Sequence, residues 1–187
     1  MAILLDNANG VATSTLKVQE PIRYMTKYSI LCVCTDNLCR SPVAADVLRQ
    51  KIIQQGLGDR VEVESAATHD FNVGESADIR AQKHAMRRGY DIAKFRARLI
   101  EAVDFDRFDL ILAMDEGNLL RLRLLCPPKY LRKLHYFTAC CEDRVPQDVP
   151  DPFYGESDDF EFMLEIVEEA SDGWVQSGVW FQQPDAK

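Results

Sequence analysis

Residues 31–49 read LCVCTDNLCRSPVAADVLR, and the fold follows from how this stretch is interpreted. Tyr28 to Cys34 is a short apolar run bounded by polar residues, which predicts a buried strand. Ser41-Pro42 predicts the opening of a helix, with serine as a good N-cap and proline welcome at the first helical position. Ala44, Leu48 and Ile52, with Val43 and Val47, then line one face until Gly56 ends it. The chain therefore runs strand, short loop, helix, with Cys34 at the end of the strand and Arg40 at the mouth of the helix.

That context has a chemical meaning. In an open parallel α/β sheet, ligands bind outside the carboxyl ends of the strands. There, loop amides and a helix N-terminus form an anion cradle. Thr35, Asp36, Asn37, Leu38 and Cys39 supply the amides. Arg40 adds a planar, permanently charged fork that can hold two phosphate oxygens. Cys34 lies at the floor of this positive pocket, surroundings that lower a thiol pKa from about 8.5 into the range of about 3.5–7.5. A thiolate beneath a bound phosphate is a phosphoryl acceptor. The competing interpretation is a buried strand cysteine without chemistry, against which the arginine and the helix-opening serine at this spacing weigh.

Working outward, Val61 to Ala66 alternates like a second strand, and a polar loop from Thr68 to Ala77 leads into a helix ending at Arg88-Gly89. Leu110 to Met114 predicts a third strand, Glu116 to Leu125 a helix closed by Pro127-Pro128, and Leu134 to Phe137 a fourth strand. The last helix starts near Asp158 or Asp159, with Phe160, Met163, Leu164, Val167 and Trp174 as core residues at helical spacing. Strands alternating with helices imply a single-domain, three-layer α/β/α fold around a mostly four-stranded parallel sheet. Residues 1–27 show no sustained period and read as a loosely ordered extension before a 28–187 domain; Met25 could be an alternative start.

Composition narrows the function. The net charge of −8 argues against a general nucleic-acid binder and means that any anion site must be built locally. No apolar run approaches the roughly 18 residues of a membrane span. The six cysteines do not suggest a secreted disulfide framework, since the chain is long and shows no cationic start followed by a long apolar core, and a reducing, cytoplasmic setting is expected. Cys32-x-Cys34 and Cys140-Cys141 match no C-x₂-C pair, so no metal is expected.

The loop CTDNLCRSP is similar to the signature of the low molecular weight protein tyrosine phosphatases, C-x₅-R-S-P with asparagine at the fourth position. VESAATHDF, ILAMDEGN and VPDPFYGESDDFE resemble later segments of that family in the same order, from about Tyr28 to Trp174. The resemblance implies hydrolysis of protein phosphotyrosine through a phosphocysteine, without cofactor or metal. Cys34 would be the nucleophile, Arg40 the phosphate clamp and Asp151, between Pro150 and Pro152, the general acid and base. Ser41 would assist the thiolate, Asn37 would brace the loop with help from Ser65, and Phe71 and Tyr154 would wall the ring pocket. Cys39 would pair with an oxidised Cys34 and protect it.

The partners implied are tyrosine-phosphorylated proteins. The acidic ending FEFMLEIVEEASDGW looks like that of bacterial members, which often act on tyrosine kinases of polysaccharide export. Three residues depart from the family pattern: Asp36 stands in place of glycine, Phe95 in place of a bracing histidine, and Phe153 in place of a tyrosine. The Asp36 side chain is expected to radiate outward, because the loop amides must face the anion. An inward carboxylate would instead favour a phosphotyrosine-binding module with little turnover. Same-fold arsenate reductases need further cysteines near the end of the third strand, where Ala113-Met114-Asp115 offers none. Protein-arginine phosphatases carry threonine where this chain has Leu38.

Overall fold

A computed structural model describes residues 27–141 and 148–181; the expected extension, up to residue 26, and Met25 lie outside them. The elements in chain order are β1 (Tyr28–Cys34), α1 (Arg40–Gln54), β2 (Val61–Ala67), α2 (Ile79–Arg87), α3 (Asp104–Arg107), β3 (Leu110–Ala113), α4 (Glu116–Leu125), β4 (Leu134–Tyr136) and α5 (Ser157–Ser177). The strands form one sheet in the order β2-β1-β3-β4, every pair parallel. Among the described residues no helix is long and apolar enough to cross a membrane.

The central position of β1 explains its unbroken apolar sequence, since both of its faces must be covered. Ile30, Cys32 and Cys34 point into a core shared with α1, α2 and α5, while Leu31 and Val33 point into a second core with α3 and α4. The expected apolar residues of the last helix all lie in the first core. Trp174 also donates its indole N–H to the Phe137 carbonyl at 2.6 Å, which satisfies a buried acceptor just beyond β4.

Two helix starts differ from expectation. Helix α1 begins at Arg40, and Cys39 occupies its N-cap position without any side-chain cap. Ser41 is therefore inside the first turn; its hydroxyl is committed to Asn37 and Cys34 and cannot serve as the cap. Helix α5 begins at Ser157, because Glu156 and Asp159 close a capping box ahead of the expected start. The short α3 was not anticipated; four residues carry too little periodicity to be read.

Helix α5 crosses the chain after β4 at close range. A Cβ added to Gly173 would land on the Cys140 carbonyl oxygen and lie 3.0 Å from its carbon. In an exposed helix, Gly→Ala gains about 1 kcal/mol. Here Gly173→Ala should instead destabilise by about 1–3 kcal/mol, the usual cost of overpacking, read as a lower denaturant midpoint at unchanged slope. A stabilised variant would show that this crossing yields freely.

Candidate active site

The loop from Thr35 to Cys39 wraps the sulfur of Cys34, which is 3% exposed. The Asn37 N–H points at Cys34 Sγ from 3.2 Å, and Ser41 Oγ lies 3.0 Å from the same atom. Asn37 adopts φ 58°, a left-handed conformation that asparagine tolerates better than most residues. That turn folds its side chain back so that Nδ2 donates to Ser41 Oγ at 2.7 Å. With a lone pair of Ser41 so occupied, its hydroxyl proton is available to the sulfur.

Arg40 extends across the mouth of the loop with its side chain 3% exposed. Nη1 binds Asp115 Oδ2 at 2.5 Å and Nη2 binds Asp151 Oδ2 at 2.6 Å. The Val149 carbonyl and Thr35 Oγ1 complete its surroundings, each at 3.3 Å. Burial works against the charge of Arg40, yet Cys34, Asp151 and Asp115 together hold it above the ordinary arginine range. Asp151 is the more accessible carboxylate, 44% exposed against 25% for Asp115. Its Oδ1 accepts from the Phe153 N–H at 3.2 Å, which fixes its direction in the turn between the prolines.

Cys39 differs from Cys34. Burial first, then the charges of Asp78, Cys34 and Asp151, push its thiol well above the usual range. Cys32 is also raised, chiefly by burial. The Leu38 carbonyl accepts from the Asp78 N–H at 2.9 Å and so ties the loop to the start of α2.

The two aromatic residues hang from segments fastened to this loop. Phe71 is 72% exposed and stacks on His69 at 5.2 Å, and the His69 N–H donates to the Thr35 carbonyl. Tyr154 is 97% exposed and stands edge-on to Phe153, whose carbonyl accepts from Arg80. The surface hollows of about 400 Å³ along α2 and about 310 Å³ beside the start of β1 lie elsewhere, lined by none of these residues.

Two expectations are corrected by this geometry. Ser65 does not brace Asn37: its Oγ is buried without a hydrogen-bond partner among the described residues, and Asn37 Oδ1 accepts from the Arg98 N–H at 3.1 Å. Asp36 does not radiate fully outward. It is half-buried, and its Oδ1 is shut from solvent with no partner among the described residues. Asp115 and Asn118 were missed. Asp115 caps α4 through the Asn118 N–H at 2.6 Å while pairing with Arg40, and the Asn118 amide meets Thr35 Oγ1 at 3.0 Å. The legible signal was an aspartate just past a buried strand, three residues before an asparagine.

The family described as low molecular weight phosphotyrosine protein phosphatase matches residues 29–179. The chain belongs to the low molecular weight protein tyrosine phosphatases. A low molecular weight protein-tyrosine-phosphatase of Streptomyces coelicolor is 40% identical over 150 residues, covering 78% of this chain and 90% of that one. The human low molecular weight phosphotyrosine protein phosphatase is 36% identical over 134 residues, 71% and 84% of the two chains. A crystal structure of a protein tyrosine phosphatase from Entamoeba histolytica, with Hepes in its active site, superposes with a TM-score of 0.80 at 31% identity, covering 83% and 99%.

One carboxylate oxygen of Asp36 is shut from solvent within the loop around Cys34. A carboxylate about 6 Å from a bound phosphate costs roughly 3 kcal/mol at an effective dielectric near 20. Asp36→Asn should therefore tighten competitive inhibition by inorganic phosphate by about tenfold or more, at about 1.4 kcal/mol per tenfold. An unchanged inhibition constant would mean that the carboxylate turns to solvent when phosphate binds.

Proposed function

We propose that this phosphatase hydrolyses phosphotyrosine on proteins through a phosphocysteine at Cys34. The observation that carries this is the meeting of Arg40 and Asp151 at 2.6 Å, residues 111 positions apart, beside the wrapped sulfur. A binding module would have no use for an acid there. An incoming phosphate takes over the Arg40 fork from Asp151 and Asp115, exchanging carboxylate oxygens for phosphate oxygens. The Thr35 to Cys39 amides receive the remaining oxygens. Phe71 and Tyr154 flank the ring, a depth that suits phosphotyrosine better than the shorter phosphoserine.

In the first step Cys34 Sγ attacks phosphorus, the S–P bond forms and the P–O bond to the ring breaks. Asp151 gives its proton to the leaving oxygen, whose parent phenol has a pKa of about 10. In the second step Asp151 takes a proton from water. The water oxygen attacks phosphorus, the S–P bond breaks, and inorganic phosphate and the Cys34 thiolate are released. Ser41 stabilises that thiolate in both steps by donating to sulfur.

Cys39, buried in the same core as Cys34, is the residue that would capture a sulfenic acid on Cys34 as a disulfide. A reducing, cytoplasmic setting goes with this reading, since Cys32, Cys34 and Cys39 are buried as free thiols. Tyrosine-phosphorylated proteins, a tyrosine kinase among them, are the proposed partners. The occluded Asp36 oxygen favours a second reading, a phosphotyrosine binder with slow turnover, which a burst of p-nitrophenol from p-nitrophenyl phosphate separates from the first.

Cys34→Ser should abolish turnover while vanadate still binds, because the cradle is backbone and Arg40; activity above a trace would remove Cys34 as the nucleophile. Asp151→Ala should slow phosphotyrosine hydrolysis by about 10²–10⁴, and less for esters whose leaving groups need no proton. Equal slowing of both substrate types would make Asp151 structural.

A further inference from the structure

Three parts of the site converge on residues 96–100, a segment outside every named helix and strand. The Ala67 N–H donates to the Arg98 carbonyl at 2.7 Å and the Ile100 N–H to the Ala67 carbonyl at 2.9 Å, which fastens the segment to the end of β2. The Ala97 N–H donates to the Glu75 carbonyl and the Gly74 N–H to the Ala97 carbonyl, which holds the loop that carries Phe71. The Arg98 N–H donates to Asn37 Oδ1. Beyond two isolated β-bridges, Ala67 with Leu99 and Ser76 with Arg96, the segment belongs to no helix or strand.

The Arg98 side chain adds a further anchor to these bridges. Nη1 binds Asp104 Oδ2 at 2.8 Å, and Nη2 reaches Asp104 Oδ1 at 3.3 Å and Glu64 Oε2 at 3.2 Å. Its guanidinium also lies over the Phe108 ring, 6.0 Å from the centroid. The Asp104 side chain is 4% exposed and takes the Glu101 N–H as well, at 2.8 Å. A carboxylate so buried is tolerable only when paired and hydrogen-bonded, and the two-pronged contact fixes the orientation of Arg98 as well as its distance.

We propose that Arg98 is a positioning residue for the chemistry of Cys34, acting through Asn37 and Ser41. This rests on the reading of Cys34 as nucleophile. With Oδ1 held by the Arg98 N–H, the Asn37 amide must aim Nδ2 at Ser41 Oγ, and the Ser41 proton then goes to sulfur. Ser41 has a competing acceptor, the Ala66 carbonyl at 3.4 Å. Releasing the 96–100 segment frees the Asn37 amide, allows Ser41 to turn to Ala66, and takes a hydrogen bond from the thiolate. This device stands where Ser65 and Phe95 provide no brace to Asn37.

The test is carried out on the full chain. The rate of iodoacetamide alkylation is followed against pH, with the label located at Cys34 by mass spectrometry, for the parent, Arg98→Gln, Asp104→Asn, Ser41→Ala and the Ser41→Ala/Arg98→Gln double variant. Arg98→Gln and Asp104→Asn should each move the Cys34 titration up by about one pH unit, about tenfold in thiolate. Arg98→Lys, which keeps the charge but not the fork, should shift it less. The double variant should shift no further than Ser41→Ala alone, since both changes cut the same chain of contacts. An unchanged titration in Arg98→Gln with only a lower melting temperature, or additive shifts in the double variant, would overturn the proposal. Should Arg98→Gln not fold, Arg98→Lys decides, and an unmoved titration there overturns the proposal too. Alkylation reads Cys34 without turnover, so an active Cys34→Ser protein would instead refute the nucleophile reading.

Discussion

Arg40 carries a full positive charge at 3% side-chain exposure, and a charge removed so far from water is tolerated only among acceptors. Those acceptors come from three distant parts of the chain: Thr35 on the loop after β1, Asp115 just past β3, and Val149 with Asp151 before α5. Neighbouring positions of β1 and β3 in the sheet bring the first two together. The third is tied in by the Val149 N–H, which donates to the Met114 carbonyl at 2.7 Å. The guanidinium thus draws three parts of the chain together, and in the proposed mechanism it also holds the substrate phosphate.

That dual use sets a balance. Two carboxylates on one guanidinium anchor it in place, and in the proposed mechanism they also compete with an anionic substrate. The competition is tolerable because phosphate offers the same bidentate oxygen geometry with more charge. It also has the consequence that the proposed acid begins the cycle at the clamp, already beside the place where the leaving oxygen arrives. Around this centre two polar atoms, Asp36 Oδ1 and Ser65 Oγ, have no partner among the described residues, and Asn37 is held in the left-handed region. Such costs persist where the surrounding structure over-determines them, here through β1, β2 and the 96–100 segment.

The strands and most helices were legible in the sequence because each is a local periodic pattern with its own stop signals: the apolar run ending at Cys34, the helical face ended by Gly56, the pair Pro127-Pro128. Cys34 and Arg40, the proposed nucleophile and clamp, could be read together for the same reason, since they share one loop. Ser41 misled as a cap because its hydroxyl has a better use than the helix, a choice made only once Asn37 folds back onto it.

What the sequence by itself determined is therefore the alternation of strands and helices, the anion loop between β1 and α1, and the residue types able to carry thiolate chemistry. Only the tertiary structure decided which distant groups reach that loop. Asp115 meets Arg40 across 75 residues, the Arg98 N–H bonds the Asn37 side-chain oxygen while Ser65, expected to help brace the loop, makes no such bond, and one oxygen of Asp36 is shut away from water. Periodicity reports which face of an element is buried, whereas these contacts depend on side-chain direction and on the few ångströms within which a hydrogen bond or ion pair forms. Those are set when the elements pack.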